Sequence, residues 1–306
     1  MTPDAVAAID CGTNSTRLLV VDEAGRPLIR LMRITRLGEG VDATGSLSPD
    51  AVARCVAVLH EYRELMDETG VGRARVVATS AVRDADNGDE FLAEARLATG
   101  VDPELLDGAA EGRLSMAGAL ADLSGPGPFL VLDIGGGSTE MVVGRDAADP
   151  ALEVVSMQLG CVRLTERFLT TDPPTAAELA EAEAEVATRL DAVLADHPHF
   201  LSAHRLVGLA GTVSTLASLD AGLAAYDRDR IHHAVLPASA VYDWYRTLAA
   251  EPAADRLARP GMEPGRQDVI VGGALILVSV MGRLGFDECL VSEADILDGL
   301  VGSLTS

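Results

Sequence analysis

One pattern occurs twice in this chain, and it restricts the available folds more than any other feature. Residues 129–144, FLVLDIGGGSTEMVVG, run from apolar residues into Asp133, through Gly135, Gly136 and Gly137, past Ser138, Thr139 and Glu140, and back into apolar residues. Residues 6–21, VAAIDCGTNSTRLLVV, repeat the plan with Asp10 and a turn of Gly12, Thr13, Asn14 and Ser15. Each copy reads as strand, tight turn, strand. Glycine has no Cβ to hold an anion away and reaches backbone angles closed to other residues, so such turns can aim several N–H groups at one phosphate. Asp133 and Glu140 flank the second turn as hard oxygen donors suited to a magnesium ion on that phosphate. One glycine turn of this kind occurs in many hairpins, whereas two in one chain point to paired phosphate-binding loops.

The segments between the repeats alternate strand and helix patterns. Ser48 and Pro49 open a helix with Val52, Val56, Leu59, Tyr62, Leu65 and Met66 at helical spacing. A short strand to Ala78 then leads into TSAVRDADN, where Thr79, Ser80, Arg83 and Asn87 cluster at a strand end, the usual ligand side of α/β proteins. A guanidinium fork fits phosphate oxygens, so Arg83 is a candidate phosphate contact. Capping accounts for Ser80 and Asn87 equally well. Glu111 lies in the first turn of a helix from Ala109, a position where an acid also simply suits the helix dipole. Gly208, Gly211 and Thr212 allow either close ligand approach or tight strand–helix packing. His232 and His233, adjacent and just before a strand, are expected to face opposite sides, unsuited to sharing a metal. Tyr242, Trp244 and Tyr245 read as core positions of an amphipathic helix.

At 306 residues and 48% hydrophobic composition the chain is long and apolar enough for two domains. Aromatic residues make up only 3%, so the core must come from Ala, Val, Leu and Ile. The net charge of −23, with every basic residue an arginine, argues against nucleic acid as a partner. A polyanionic substrate would need arginines gathered locally and a metal to offset its charge. The four cysteines form no CxxC pair, which predicts reduced thiols and no zinc site. With no signal-peptide pattern and no apolar run of ~18 residues, a cytoplasmic protein without a membrane partner is expected.

Seven segments in order carry a resemblance: AAIDCGTNSTRLLV, TSAVRDADN, GAAEG, LVLDIGGGSTE, LGCVRLTE, GLAGTVSTLA and RQDVIVGGALIL. Across nearly its whole length the chain resembles the exopolyphosphatase/guanosine pentaphosphatase (Ppx/GppA) phosphatases, in their short two-domain form. The resemblance implies an α/β fold of the actin-like ATPase (sugar kinase/actin) type, with lobes at residues 1–115 and 116–306 and the site in the cleft between them. It places the catalytic glutamate on Glu111 and further site residues on Asp133, Gly135 and Glu140. Asp10 joins Asp133 and Glu140 as metal ligands for Mg2+ or another divalent ion. Gly12, Thr13, Asn14, Ser15, Arg17, Arg83, Gly135, Gly136, Gly137, Ser138 and Thr139 are then expected on the substrate phosphates.

The activity implied is hydrolysis of the end phosphate of inorganic polyphosphate, with guanosine pentaphosphate, or a non-catalytic alarmone or nucleotide sensor of the same fold, as alternatives. Ala- and Leu-rich faces are compatible with a homodimer. Near the C-terminus, SEADILDGL stands where many family members have a glycine-arginine-glutamate-glycine pattern, and the sequence gives that segment no role.

Overall fold

The computed structural model describes residues 5–305. They form two compact units, one made of the described residues to Gly118 together with those from Asp295, the other Ala119–Ala294. In the first unit β1 (Ala5–Cys11), β2 (Ser15–Val21), β3 (Pro27–Ile34), β4 (Val71–Ala78) and β5 (Pro103–Leu105) stand in the order β3-β2-β1-β4-β5. In the second, β6 (Phe129–Ile134), β7 (Thr139–Gly144), β8 (Glu153–Met157), β9 (Arg205–Leu209), β10 (Val235–Pro237) and β11 (Glu288–Val291) stand in the order β10-β11-β9-β6-β7-β8. The sequence repeats are the antiparallel pairs β1–β2 and β6–β7, and the first strand of each then pairs in parallel with β4 or β9. Read from β8 to β11, the second sheet copies the first, with β10 added at its edge.

Strand alternation divides the first sheet into two apolar faces. Ala5, Ala7, Ile9 and Cys11 join Leu18 and Val20 on one face. The helix Pro49–Glu68 covers them, capped by Ser48, whose Oγ accepts from Ala51 N at 3.2 Å. Its buried stripe is Ala51, Cys55, Leu59, Tyr62 and Met66, offset from the Val52 and Val56 expected inside. From that stripe the Tyr62 hydroxyl donates to Thr16 O at 2.9 Å.

Val6, Ala8, Leu19, Val21 and Val77 form the other face, buried under Ile296, Leu297, Leu300 and Val301 of the C-terminal helix Ile296–Thr305. Chain order would leave that helix with residues 116–306. It closes the first sheet instead, because central strands apolar on both sides need a helix on each.

The helix Gly108–Ala119 meets the C-terminal helix backbone to backbone. A Cβ on Gly299 would lie 2.1 Å from Leu114 O, and one on Gly118 would lie 1.8 Å from Asp295 O. Glycine is therefore required at both points. This crossing fixes the helix that carries Glu111.

In the second unit Leu130, Leu132, Ile134, Met141 and Val143 face a core completed by the helices Ala176–Asp196 and Ile270–Leu284. Among the described residues no helix is long and apolar enough to cross a membrane. Of the three aromatics expected inside, only Tyr245 is fully buried. Tyr242 is 47% exposed, and the Trp244 indole donates to Asp220 at 3.2 Å while Arg259 lies over its ring. All four cysteines are free and buried, and burial pushes the Cys289 thiol up to about 12.

Gly299→Ala should lower stability to urea by about 1–3 kcal/mol through overpacking at the helix crossing. At Gly302, one turn on, an added Cβ meets nothing within 4 Å. Gly302→Ala should therefore be neutral, or stabilise by up to ~1 kcal/mol. Equal urea midpoints for the two variants would refute the tight crossing.

Candidate active site

Both glycine turns are built alike. Gly12 N donates to Ser15 O at 3.0 Å, and a Cβ on Gly12 would stand 3.0 Å from that oxygen. A Cβ on Gly135 would stand 3.0 Å from Ser138 O, the equivalent atom of the second turn.

The turn carbonyls are committed elsewhere. Thr13 O accepts from Gly38 N at 2.9 Å, and Asn14 O from Thr35 N and Arg36 N at 3.1 and 3.0 Å. Gly135 O accepts from Cys161 N, and Gly136 O from Val162 N and Arg163 N, all at the start of the helix Cys161–Phe168. Gly137 O accepts from Arg163 Nε at 2.8 Å. Across a trans peptide the carbonyl and the next N–H point in opposite directions. The N–H groups of Asn14, Gly136, Gly137 and Ser138 therefore face away from these partners, as in an anion-binding nest. The second turn depends on Gly160, where a Cβ would lie 2.3 Å from Gly136 O.

Register sets the acids. Asp10 stands opposite Arg17 across β1–β2, and Asp133 opposite Glu140 across β6–β7. Arg17 Nε and Nη2 both donate to Asp10 Oδ2, at 3.1 and 2.6 Å, while Nη1 donates to Asp295. Arg17, expected on a substrate phosphate, is thus gripped by two carboxylates. The second oxygen, Asp10 Oδ1, is buried without a hydrogen-bond partner. Burial pushes the Asp10 carboxyl above the usual carboxylate range, and Arg17 draws it back.

Asp133 and Glu140 are buried, and Ser156 Oγ donates to Glu140 Oε1 at 2.7 Å. Thr139 Oγ1 turns to the other face of β7 and donates to Leu159 O at 2.5 Å. The orphaned Asp10 oxygen in the first unit and the facing acids Asp133 and Glu140 in the second are each hard-oxygen donors of the kind that suits a divalent cation.

Glu111 sits in the first turn of Gly108–Ala119, where Asp107 Oδ1 caps Ala110 N at 2.7 Å. Arg83 Nη1 donates to Leu106 O at 2.7 Å and to Glu111 Oε2 at 3.3 Å, and its Nη2 is buried without a partner. The structure therefore brings Arg83 and Glu111 together, which the sequence did not anticipate. Asn87 instead braces Leu47 through bonds to its N and O at 2.8 and 3.0 Å, and Ser80 Oγ donates to Asp84 at 3.3 Å.

Two other candidates resolve as packing. A Cβ on Gly211 would lie 2.0 Å from Arg266 Cζ, so a protein guanidinium already covers that turn. His232 and His233 do not face opposite sides. The left-handed φ of 61° at His233 makes a turn in which the rings stack 3.9 Å apart beside Asp122. With Asp122 they form a group at metal-ligand spacing. His232 Nδ1, however, accepts from Glu293 N at 3.0 Å, so its proton sits on Nε2 and is donated to Asp122 at 2.9 Å. A protonated ring nitrogen has no lone pair to offer a metal.

The sequence pattern of the Ppx/GppA phosphatase family matches residues 19–305. The chain belongs to the Ppx/GppA phosphatase family. Exopolyphosphatase 2 of Mycobacterium tuberculosis is 43% identical over 319 residues, covering 98% of each chain. Among solved structures, an exopolyphosphatase-like protein superposes with a TM-score of 0.93 at 35% identity over 98% of both chains. The Aquifex aeolicus Ppx/GppA member does so with a TM-score of 0.81 at 33% identity, over 98% of this chain and 97% of that one. Ppx/GppA enzymes are metal-dependent.

Sequence reasoning passed over Ser156, Gly160 and Asp295. Gly160 had a readable signal, a glycine directly before a helix. The other two act only through residues distant in the chain. Gly160→Ala should weaken tripolyphosphate binding about tenfold or more by displacing the Gly136 peptide, as calorimetry would register. Unchanged affinity would count against the second turn as a phosphate cradle.

Proposed function

We propose that the chain is an exopolyphosphatase, a phosphoanhydride hydrolase that removes the end phosphate of inorganic polyphosphate as orthophosphate. The observation carrying this reading is a carboxylate, Glu111, held by an arginine at a helix start, in a family member that keeps two D-x-G-x-x-S turns. The name of the mycobacterial relative points the same way.

Glu111 takes the proton of the attacking water, and Arg83 fixes its orientation through Oε2. The outward N–H groups of the turns, with Arg83 Nη2, receive the charge that spreads over the transferring phosphoryl oxygens. Fixed donors need no reorganisation as that charge develops, and each is typically worth ~3–4 kcal/mol. Asp10, Asp133 and Glu140 would hold magnesium. When bound, such an ion neutralises phosphate charge and lowers the pKa of water it carries. In this reading Arg17 serves the site by clamping Asp10 rather than by touching phosphate.

Glu111 and Arg83 act on a terminal phosphoanhydride whatever lies behind it, so guanosine pentaphosphate is the rival substrate. Orthophosphate release from polyphosphates of defined length, measured beside release from guanosine pentaphosphate, separates the two. Short polyphosphates are the expected preference; faster turnover of the pentaphosphate would transfer the assignment to it. Glu111→Gln should lower kcat by about 10²–10⁴-fold with substrate affinity retained. Unchanged kcat would remove Glu111 from the base role.

A further inference from the structure

Asp295 lies in the SEADILDGL segment, which the function above does not use. Alternation along β1 and β2 puts Asp10 and Arg17 on the same face as Val6, Ala8, Leu19 and Val21, the face closed by the C-terminal helix. Asp295 stands directly before that helix. It is 8% exposed and firmly held. Oδ1 accepts from Leu297 N at 2.9 Å, its own N donates to Asp298 Oδ2 at 2.9 Å, and Gly118 packs against its carbonyl. Oδ2 receives Arg17 Nη1.

The Arg17 fork therefore has one arm on Asp295 and the other, with Nε, on a single oxygen of Asp10. A guanidinium facing one lone carboxylate prefers the bidentate grip on both oxygens. Nε and Nη2 already face Asp10 and would suffice for such a grip, but with Nη1 held by Asp295 both fall on Oδ2, and Asp10 Oδ1 is left unbonded in the interior.

We propose that Asp295 is a positioning residue for the metal site: by holding one arm of Arg17 it keeps Asp10 Oδ1 open for the divalent cation. This rests on the reading of Asp10 as a metal ligand. Loss of the Asp295 side chain lets Arg17 close onto both Asp10 oxygens, and the cation must then compete with it.

The test is direct binding of Mn2+, followed by electron paramagnetic resonance on the full chain without substrate, with thermal unfolding recorded for each variant. Asp295→Ala should weaken Mn2+ binding about 10- to 100-fold, the usual effect of losing a partner that orients a metal ligand. Asp295→Asn keeps an oxygen for Arg17 and should recover most of the affinity, which loss of a negative charge alone would not allow.

Ser303→Ala is the structural control. Ser303 Oγ anchors the far end of the same helix by accepting from Arg75 Nη1 at 2.6 Å. This variant should leave Mn2+ affinity unmoved whatever it does to Tm.

Wild-type affinity in Asp295→Ala, or equal weakening in Asp295→Ala and Asp295→Asn, overturns the proposal while leaving the metal site intact. Asp10→Asn separates the two readings: if it binds Mn2+ as tightly as wild type, or if the wild type binds none, the metal assignment itself falls.

Discussion

A carboxylate buried beside a glycine turn is costly to keep ionised, and the first unit is arranged around meeting that cost at Asp10. Burial pushes the Asp10 carboxyl above the usual carboxylate range, and a neutral carboxyl makes a poor cation ligand. Arg17, directly opposite in the β1–β2 register, supplies the compensating charge. Arg17 is in turn balanced by Asp295, which arrives on the same face of the sheet with the C-terminal helix. The strand pairing, the helix and the glycine crossing all serve to hold this carboxylate–guanidinium–carboxylate line.

The second unit repeats the backbone plan but not the charge. At the position equivalent to Arg17 it has Glu140, so its turn carries two facing acids where the first unit has an ion pair. An ion pair is internally satisfied, whereas two neighbouring carboxylates are most stable with a cation between them. The repeated plan thus gives two turns of one geometry, and a single difference across the hairpin sets their charge apart.

The turns work because their carbonyls have other partners. In the second turn, three consecutive glycine carbonyls are occupied by the start of the helix Cys161–Phe168 and by the Arg163 side chain. Gly160 makes that approach possible. Glycine at 135–137 gives the chain freedom to turn, and the helix selects which way each peptide faces.

Local spacing along the chain settled the two hairpins, the α/β alternation, the start of the Glu111 helix and the family: apolar runs of strand length, glycines at fixed offsets, caps before helices. It could not determine phase or partnership. The buried stripe of Pro49–Glu68 is offset from the obvious valines, and Tyr62 within it bonds to β2. His232 and His233 share one side because a left-handed turn replaces the expected strand. Arg83 leans on Glu111, and Arg17 is spanned by Asp10 and a residue 278 positions further on. Such contacts are decided by which strand face a side chain occupies and which helix covers that face, and that is settled only when apolar surface far apart in the chain is buried together.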